Sequence, residues 1–437
     1  MSGGRTAAAE WRNWAGDQAC RPAERIAPRD RDELAAAVVS AAEAERKVSV
    51  AGSGHSFTEA ALTDGTMIDI AALSGVIDAD RESGLVRVGG GTVLAELNQE
   101  LHRRGLAMEN LGDIDRQTVA GAVSTGTHGT GIRLGNLSTQ VVGVELVTGD
   151  GKVRELGESD GDLLRAARVG VGALGAISAV TLRCVPSFVL EIVSKPVPRE
   201  EVLDTFVERA EANDHFELFT FPYADSALVL ERDRTGSAPR PRGRVGAYLN
   251  DIVLENWALG AFSGAGRALP AAIPLLSRIA ARLASGGRVV DRSDRVFASE
   301  RRVRFTEMEY GVPREKGPEA ARRVVEWVRE NRYPVFFPIE MRVAAGDDAL
   351  LSPSHERDTT YIAVHQYRGM EWRPYFEAVE AIMDEYGGRP HWGKRHFQTA
   401  ATLAPRYPRW DAFAAARDEL DPGRVFGNEY ATRVLGA

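Results

Sequence analysis

Residues 119–131 of this chain have the sequence VAGAVSTGTHGTG, and another glycine-rich run, VAGSGHS, occupies residues 50–56. In both runs backbone N–H groups and Ser or Thr hydroxyls can converge on one anion. Neither run ends in the Lys-Ser or Lys-Thr pair of a nucleoside-triphosphate loop. We call residues 50–56 the first glycine loop and residues 120–131 the second glycine loop. Each run could be an ordinary loop without a ligand. The presence of two such runs in one unit favours the interpretation that both bind one cofactor that carries a phosphate.

The segments around these loops predict an α+β unit. Asp30 and Glu33 have the spacing of a capping box, and the apolar residues that follow predict a helix ending near Lys47. A second amphipathic helix is predicted from Val93 to Gly105. Alternating or apolar runs predict strands at 48–50, 67–70, 85–88, 141–147 and 179–184.

A third glycine-rich run matches the dinucleotide-binding fingerprint but lies in the wrong context. Residues 170–175 are GVGALG, with glycines at the three fingerprint positions. A helix should follow the third glycine, yet residues 176–182, AISAVTL, are typical of a strand. We therefore interpret this run as a tight turn between a helix and a strand, not as a nicotinamide site.

Length and composition predict a multidomain enzyme. The chain has 437 residues, a net charge of −8 and 44% hydrophobic residues, enough for two or three domains. The acidic balance argues against nucleic-acid binding. Two cysteines cannot form a disulfide framework, so a reducing, cytoplasmic location is expected. The hydrolase elbow G-x-S-x-G does not occur around Ser53 or Ser124.

The second half of the chain predicts alternating helices and strands. A helix is predicted at 319–332, and strands at 335–343 and 360–367. The most apolar stretch, Ala258–Ala284, is interrupted by three arginines and two prolines, so it cannot span a bilayer as an uncharged segment. The pattern favours a pair of helices or an oligomer contact over a membrane surface.

Short motifs occur in order along nearly the whole chain. They are GHS at 54–56, TDG at 63–65, NLSTQVV at 136–142, FPIEMR at 337–342, YIAVHQY at 361–367, RPHWGKRH at 389–396 and LDPGRVFGNEY at 420–430. With the second glycine loop, these motifs resemble those of the FAD-linked oxidases of the vanillyl-alcohol-oxidase type. Within that group they are most similar to the aldonolactone oxidoreductases, with alditol oxidases as close relatives.

The resemblance implies a two-domain α+β flavoprotein. Its parts would be an FAD-binding domain of the PCMH type over 1–187, a substrate-binding cap domain over 188–390, and a C-terminal segment, 391–437, that packs back on the first domain. It further implies a covalent bond from His55 to the 8α-methyl group of FAD, in which a neutral imidazole nitrogen acts as the nucleophile. The residues expected to contact FAD are Val50, Ala51, Gly52, Ser53, Gly54, His55, Ser56, Gly112, Asp113, Thr118, Gly121, Thr125, Thr127, His128, Ile177 and Lys394.

Four residues are expected at the reacting end of the site. Glu340 and Arg342 are two apart on a predicted strand, so their side chains project from the same face. A salt bridge within the strand is the alternative, whereas the resemblance implies contacts with substrate hydroxyls. It also implies that Lys394 stabilises the anionic reduced flavin, and His365 is a candidate substrate contact. No metal is expected at His391 and His396, because no carboxylate or cysteine in the sequence pattern completes a ligand set.

The implied reaction removes two hydrogens from an alcohol of a sugar-derived lactone. Candidate substrates are L-gulono-1,4-lactone, oxidised at C2 to a ketone that enolises to an ascorbate-type product, and D-arabinono-1,4-lactone. Electrons would pass to O2 or another acceptor. An alditol oxidase acting on a terminal hydroxyl of xylitol or sorbitol is the first alternative, and a flavin-binding module without turnover is the second.

Overall fold

The first helix of the chain begins where the capping box predicts it. A computed structural model of the protein describes residues 9–240, 259–283, 286–298 and 303–437. Asp30 caps the helix Arg31–Glu43 by accepting a hydrogen bond from the Glu33 N–H at 2.8 Å. The helix ends before the predicted Lys47 because Glu45 has a left-handed backbone, φ 53°, which is a common helix stop.

A small parallel sheet holds the first glycine loop at its edge. Val48–Ala51 and Glu24–Ile26 both pair in parallel with Thr66–Asp69, which lies between them. The first glycine loop leaves the carboxyl end of Val48–Ala51, the position where ligands bind in parallel sheets.

A five-stranded antiparallel sheet completes the first half. Its strands, in spatial order, are Val153–Gly157, Val141–Val147, Ala176–Arg183, Leu85–Gly89 and Val76–Ala79. The helices beside it are Leu94–Arg103, Val119–Ser124 and Asp162–Ala167. Because Ala176–Arg183 is a strand, the GVGALG run joins a helix to a strand, as its sequence context predicts.

An eight-stranded antiparallel sheet dominates the second half, and we call it the cap sheet. Its strands, in spatial order, are Gly287–Arg292, Val189–Pro198, Ser226–Arg234, His215–Thr220, Ile339–Ala344, Thr359–Tyr367, Phe305–Pro313 and Arg389–Pro390. The strand predicted at 335–343 begins only at Ile339. Pro334 and Pro338 lack the N–H that a sheet position needs, which explains the late start.

Helices cover the face of the cap sheet that turns away from the first half. They are Arg199–Asp204, Phe206–Ala212, Gly317–Glu330 and Arg373–Glu385. Two more helices, Leu259–Ala268 and Ile273–Leu283, fall in the apolar stretch whose outer residues Ala258 and Ala284 lie outside the described part of the chain. Ser293–Phe297 is a short helix after the first strand of the sheet.

The apolar side chains form two large cores. The first core joins the strands and helices of residues 31–182 to buried side chains of the C-terminal segment, among them Trp392, Phe413, Phe426 and Tyr430. Helices Ala400–Leu403, Trp410–Leu420 and Glu429–Leu435 carry that segment. The second core lies between the cap sheet and its helices. The arrangement confirms the α+β class, whereas the domain boundaries at 187 and 390 stay predictions.

Two antiparallel pairs of short strands lie outside the larger sheets. Trp11–Arg12 pairs with Ala19–Cys20, and Leu106–Ala107 pairs with Val185–Pro186.

Among the described residues, no helix combines the length and apolarity that a bilayer crossing requires.

Candidate active site

One cavity of about 1970 Å³ lies between the two glycine loops and the cap sheet. It is lined by every residue that the sequence analysis assigns to the site except Ala51. The Ala51 side chain is buried in a small core with Trp11 and Met67. The residues expected to bind the cofactor and those expected to contact substrate therefore meet in one space.

The first glycine loop passes so close to Thr118, just before the second glycine loop, that only glycine fits at position 52. A Cβ atom on Gly52 would lie 2.3 Å from Thr118 Oγ1, and Gly54 has a left-handed φ of 69°. The first glycine loop is hydrogen-bonded to residues from both the N-terminal and the C-terminal parts of the chain. Asn13 Nδ2 donates to the Ser56 carbonyl at 3.0 Å, and Ser56 Oγ donates to the Gly393 carbonyl at 3.2 Å.

The second glycine loop contains a helix start and then crosses to the cap sheet. Thr118 caps the helix Val119–Ser124 by accepting from the Gly121 N–H at 3.3 Å. After the helix, Gly131 N–H donates to the Val343 carbonyl at 2.9 Å, and Thr130 Oγ1 accepts from the Val343 N–H at 3.2 Å. The loop therefore contributes to the cavity wall and is hydrogen-bonded to the strand that carries Glu340 and Arg342.

His55 faces the cavity as a neutral imidazole. Burial, and then the positive charges of Lys394 and Arg304, lower the pKa of His55 to about 4. The ring stacks on Trp14 with centroids 5.5 Å apart. A neutral ring in a fixed orientation keeps a nitrogen lone pair available for bonding.

Arg342 is the centre of a buried charge cluster in the cap sheet. It lies directly opposite Glu217 on the neighbouring strand, and its Nε and one terminal nitrogen contact the Glu217 carboxylate at 2.8 and 2.7 Å. It also contacts Glu340 and, at 3.5 Å, Asp113 of the first half. Burial opposes the charge of Arg342, but these three carboxylates raise its pKa above the ordinary value.

The two glutamates of this cluster differ in protonation. Burial raises the pKa of Glu340 well above its usual range, and the neighbouring Glu217 and Asp113 add to that effect against the pull of Arg342. Burial also opposes ionisation of Glu217, but Arg342 and Arg232 outweigh it and lower the Glu217 pKa to about 2. Glu217 is thus the stronger acid of the pair, and its surroundings favour the neutral form of Glu340, which can donate a hydrogen bond.

A second pair of charges joins the strand Phe305–Pro313 to the loop that follows Arg389–Pro390. Lys394 Nζ donates to Glu307 Oε2 at 2.5 Å, and His365 Nε2 is 3.5 Å from Glu307 Oε1. Burial opposes the Lys394 charge, but Glu307 and Glu309 raise its pKa above the ordinary value. Among the described atoms, the buried His365 Nδ1 has no hydrogen-bond partner.

Another cluster of buried titratable residues lines the same cavity: His128, Glu309 and His391. Their potential ligand atoms are all within 4.8 Å of one another, so the sequence argument that no carboxylate completes a histidine set is wrong. The hydrogen bonds nevertheless describe a proton network. His128 Nδ1 lies 2.8 Å from the Gly129 carbonyl oxygen and its Nε2 lies 3.1 Å from Glu309 Oε1, so the ring is held between two oxygen atoms. His391 Nδ1 accepts from the Gly393 N–H at 2.9 Å, which places its proton on Nε2.

His396, the other histidine of that motif, is not part of the group. Its Nε2 lies 2.9 Å from the Tyr430 hydroxyl, in the core that holds the C-terminal segment.

Sequence reasoning missed several residues of the cavity wall. Glu307 and Glu309 are two apart on a strand that is buried from Phe305 to Val312, and two glutamates on one face of such a strand were the available signal. Glu217 is likewise the one acid on its strand. Val171, Gly172 and Gly175 of the rejected fingerprint also line the cavity.

Comparison with known proteins agrees with this geometry. Residues 180–434 match the D-arabinono-1,4-lactone oxidase family, and residues 22–157 match an FAD-binding domain. The chain belongs to the D-arabinono-1,4-lactone oxidase family. It is an FAD-linked oxidoreductase, and the resemblance drawn from its motifs is confirmed.

Individual relatives cover the chain almost completely. It is 50% identical to an L-gulono-1,4-lactone dehydrogenase of Mycobacterium tuberculosis, with 98% of this chain and 99% of the relative aligned. It is 34% identical to the L-gulonolactone oxidase of Bos taurus, with 98% of each aligned. The crystal structure of cholesterol oxidase from B. sterolicum superimposes with a TM-score of 0.83 at 18% identity over 99% of this chain and 97% of that one. This likeness confirms the vanillyl-alcohol-oxidase-type fold.

The cavity fits an FAD molecule by the chemistry of its wall. Glycines and hydroxyl side chains of both loops leave backbone N–H groups accessible for a diphosphate. The half-buried Lys394 supplies a cation fixed by Glu307, and His55 supplies an unprotonated nitrogen. These features come from both halves of the chain and point into the same space.

We expect His391→Asn to make the protein less sensitive to acid. Burial lowers the pKa of His391 to about 3, so below pH 6.5 the unfolded chain binds a proton that the folded chain does not. The stability that depends on neutral His391 is therefore complete above pH 6.5 and is lost as the pH falls towards 3, by about 1.4 kcal/mol per pH unit. An asparagine oxygen can accept the same Gly393 N–H without titrating.

Urea unfolding at about pH 7 and about pH 4.5 measures this difference. The wild type should lose about 2–3 kcal/mol more than His391→Asn between these conditions. The exposed His102, replaced in the same way, is the control and should follow the wild type. Equal acid sensitivity of all three proteins would contradict a buried neutral His391.

Proposed function

We propose that this protein oxidises a ring hydroxyl of an aldonolactone of the L-gulono-1,4-lactone type and passes the electrons to O2 or another acceptor. The observation that carries the proposal is the convergence of Glu340, Arg342 and Lys394 with the two glycine loops in one cavity. The 50% identity to an L-gulono-1,4-lactone dehydrogenase over nearly the full length of both chains supports a lactone substrate.

Arg342 and Glu340 are proposed to bind and orient the sugar. A guanidinium fixed by Glu217 can hydrogen-bond a hydroxyl and stabilise negative charge on its oxygen as the proton leaves. Glu340, as a neutral acid, can donate to one substrate oxygen and accept from another. Both groups are held by the sheet before substrate arrives, so little ordering is required on binding.

His365 is proposed to take the hydroxyl proton. Its Nε2 faces Glu307, whose carboxylate would stabilise the imidazolium that forms, and its Nδ1 is a buried nitrogen without a partner among the described atoms. An unpartnered buried polar atom is costly, which favours a partner supplied by the substrate. Bound FAD supplies a two-electron acceptor for hydride from the substrate carbon. Lys394 holds a positive charge in the same wall, where it can balance negative charge that develops during the reaction.

His55 is proposed to hold FAD covalently, through a bond between a ring nitrogen and the 8α-methyl group. Only the unprotonated nitrogen can form this bond, and the pKa of about 4 keeps the ring neutral at physiological pH. Stacking on Trp14 restricts the ring to one orientation. The other residues assigned to FAD binding are proposed to contact the cofactor without bonds of this kind.

The substrate is tested by mixing the purified yellow protein anaerobically with a panel of lactones and polyols. Flavin bleaching by L-gulono-1,4-lactone or D-arabinono-1,4-lactone, and much slower bleaching by xylitol and sorbitol, is the expected result. Faster bleaching by the polyols would identify an alditol oxidase. Bleaching by none of them would favour the flavin-binding module without turnover.

We expect Arg342→Lys and Glu340→Gln to differ strongly. Lysine keeps the charge but loses the paired contacts with Glu217, so flavin reduction should slow by about 10²-fold, or about 2.7 kcal/mol. Glutamine replaces a neutral acid with a neutral amide and should slow it by less than about tenfold. Stopped-flow absorbance measures both, and the flavin spectrum confirms that FAD is retained. A Glu340→Gln variant as slow as Arg342→Lys would show that Glu340 acts as an ionised carboxylate.

We expect the yellow colour to stay with the wild-type chain after acid precipitation. His55→Ala should release its flavin to the supernatant or contain none, because alanine has no nitrogen to bond the cofactor. His102→Ala alters a histidine that lines the same cavity and should keep its flavin in the pellet. Free release of flavin from the wild type would rule out the covalent bond at His55.

A further inference from the structure

The wall of the cavity extends beyond the residues proposed to contact FAD. The cavity has a volume of about 1970 Å³, whereas ordinary ligand sites have at most about 1,000 Å³. The residues proposed to contact FAD belong to the first half of the chain, apart from Lys394. None of them lies on the first four strands of the cap sheet, which also line the cavity: Gly287–Arg292, Val189–Pro198, Ser226–Arg234 and His215–Thr220.

These four strands, with the residue that follows the last of them, contribute a group of six apolar side chains to the cavity. We call the group the apolar wall, and its members are Val289, Ile192, Leu228, Leu230, Phe219 and Phe221. The side chains are half-buried. On the strand Ser226–Arg234, Ala227 and Val229 point the other way and are buried in the second core. An apolar ligand that covers the apolar wall would remove its remaining surface from water, which is favourable.

The register of the cap sheet places the apolar wall next to the charge cluster of Arg342. Leu230 lies directly opposite Glu217, and Glu217 lies directly opposite Arg342. Neighbouring strands are about 4.8 Å apart, so the backbones of Leu230 and Arg342 are separated by about 10 Å. A ligand on the apolar wall would therefore be close to the proposed reacting end of the cavity.

Arg232 adds an unsatisfied hydrogen-bond donor to this part of the cavity. It lies directly opposite Ile192 and lines the cavity, although its side chain is only 7% exposed. One terminal nitrogen donates to Glu217 Oε2 at 2.7 Å, whereas the Nε–H has no hydrogen-bond partner among the described residues. A buried donor without a partner is costly, which favours a ligand that brings an acceptor oxygen. Glu217 already balances the charge of Arg232 and would repel a carboxylate, so a neutral carbonyl fits better.

We propose that the apolar wall binds a quinone, which accepts the electrons of the reaction. A quinone combines an apolar ring and side chain with neutral carbonyl oxygens, one of which can accept from the Arg232 Nε–H. A sugar lactone does not suit the apolar wall, because its hydroxyl groups would lose water there without gaining hydrogen-bond partners. The inference rests on the proposed lactone oxidation and adds the chemical class of its electron acceptor.

The transfer to a quinone balances in atoms and electrons. The lactone loses two hydrogens, one from carbon and one from a hydroxyl group, as its C–OH becomes C=O. The reduced cofactor then passes two electrons to the quinone, and two protons accompany them. Both quinone carbonyls become hydroxyls, so the product is a quinol, and the cofactor returns to its oxidised form.

Titration calorimetry of the oxidised holoenzyme with ubiquinone-1, a benzoquinone with one isoprenoid unit, tests the binding site. The two oxidised partners cannot react, and we expect one quinone to bind per chain. Leu228→Gln should weaken binding about tenfold, because its amide would lose water without gaining a partner. Leu228→Met keeps the site apolar and should bind as the wild type does. Leu85→Gln is the matched control, since Leu85 is 37% exposed on a strand of the first half.

Arg232→Lys tests the donor. Lysine keeps a positive charge beside Glu217 but has no Nε–H, so the variant should bind ubiquinone-1 about fivefold more weakly than the wild type.

Anaerobic stopped-flow mixing of the reduced holoenzyme with ubiquinone-1 tests the electron transfer. Dithionite, removed before mixing, reduces the flavin in place of a lactone, so this experiment succeeds or fails independently of the proposed substrate. The flavin absorbance should return on mixing. At quinone concentrations below saturation it should return about tenfold more slowly in Leu228→Gln, and as fast as in the wild type in Leu85→Gln.

Three outcomes would overturn the proposal. The first is that the wild type does not bind ubiquinone-1, and the second is that Leu228→Gln binds it as tightly as the wild type. The third is that Leu228→Gln slows flavin reduction by a lactone without any change in quinone binding, because the apolar wall would then belong to the substrate site. Flavin content and thermal unfolding of each variant show that a loss of binding does not come from misfolding.

Discussion

The hydrogen bonds between the second glycine loop and the cap sheet are the constraint on which the rest of the site depends. Gly131 N–H and Thr130 Oγ1 contact the backbone of Val343, and Thr130 Oγ1 also donates to the Phe216 carbonyl. The His215 ring adds a contact of 2.7 Å to the Thr130 carbonyl. A loop of the FAD-binding half is thus hydrogen-bonded to two strands of the cap sheet. The strand that carries Glu340 and Arg342 can therefore not shift relative to the loop without losing these bonds.

The charges of the cavity follow from that placement. Isolated buried charges are very costly, and the two cations that face this cavity each contact a buried glutamate. Arg342 contacts Glu217 on the neighbouring strand, and Lys394 contacts Glu307. Pairing keeps the cations charged in a poorly solvated space, where their field on a substrate is stronger than in water. Burial keeps His55 neutral, and burial together with the neighbouring Glu217 and Asp113 raises the pKa of Glu340 despite its contact with Arg342. One cavity thereby contains fixed cations together with neutral donors and acceptors.

Local sequence predicted the elements well, and long-range pairing explains what it missed. The capping residue Asp30, the strand Val141–Val147 and the strand after GVGALG were predicted because their signals lie within a few residues. Glu340 and Arg342 were placed on one face of a strand by their spacing alone. Glu217 was missed because it is 125 residues away from Arg342 in sequence and becomes its neighbour only through sheet register. Glu309 was missed for the same reason, and this omission caused the wrong argument about a metal-ligand set.

The three glycine-rich runs show what such a run does and does not indicate. In each run one glycine lies where a side chain would not fit. Gly52 approaches Thr118, Gly129 approaches the Leu111 carbonyl, and Gly175 approaches the Val147 carbonyl, which a Cβ would meet at 2.7 Å. The fingerprint run was rejected as a nicotinamide site because a strand follows it, yet Gly172 and Gly175 line the same cavity as the other two loops. Closely spaced glycines indicate that the backbone must come close to another group. The helix or strand that follows the glycines then indicates whether that group is a phosphate, another strand or both. In this protein the glycines share one cavity with His55, which belongs to the first glycine loop, and with Lys394 from the C-terminal segment. The fold of the whole chain brings these side chains together.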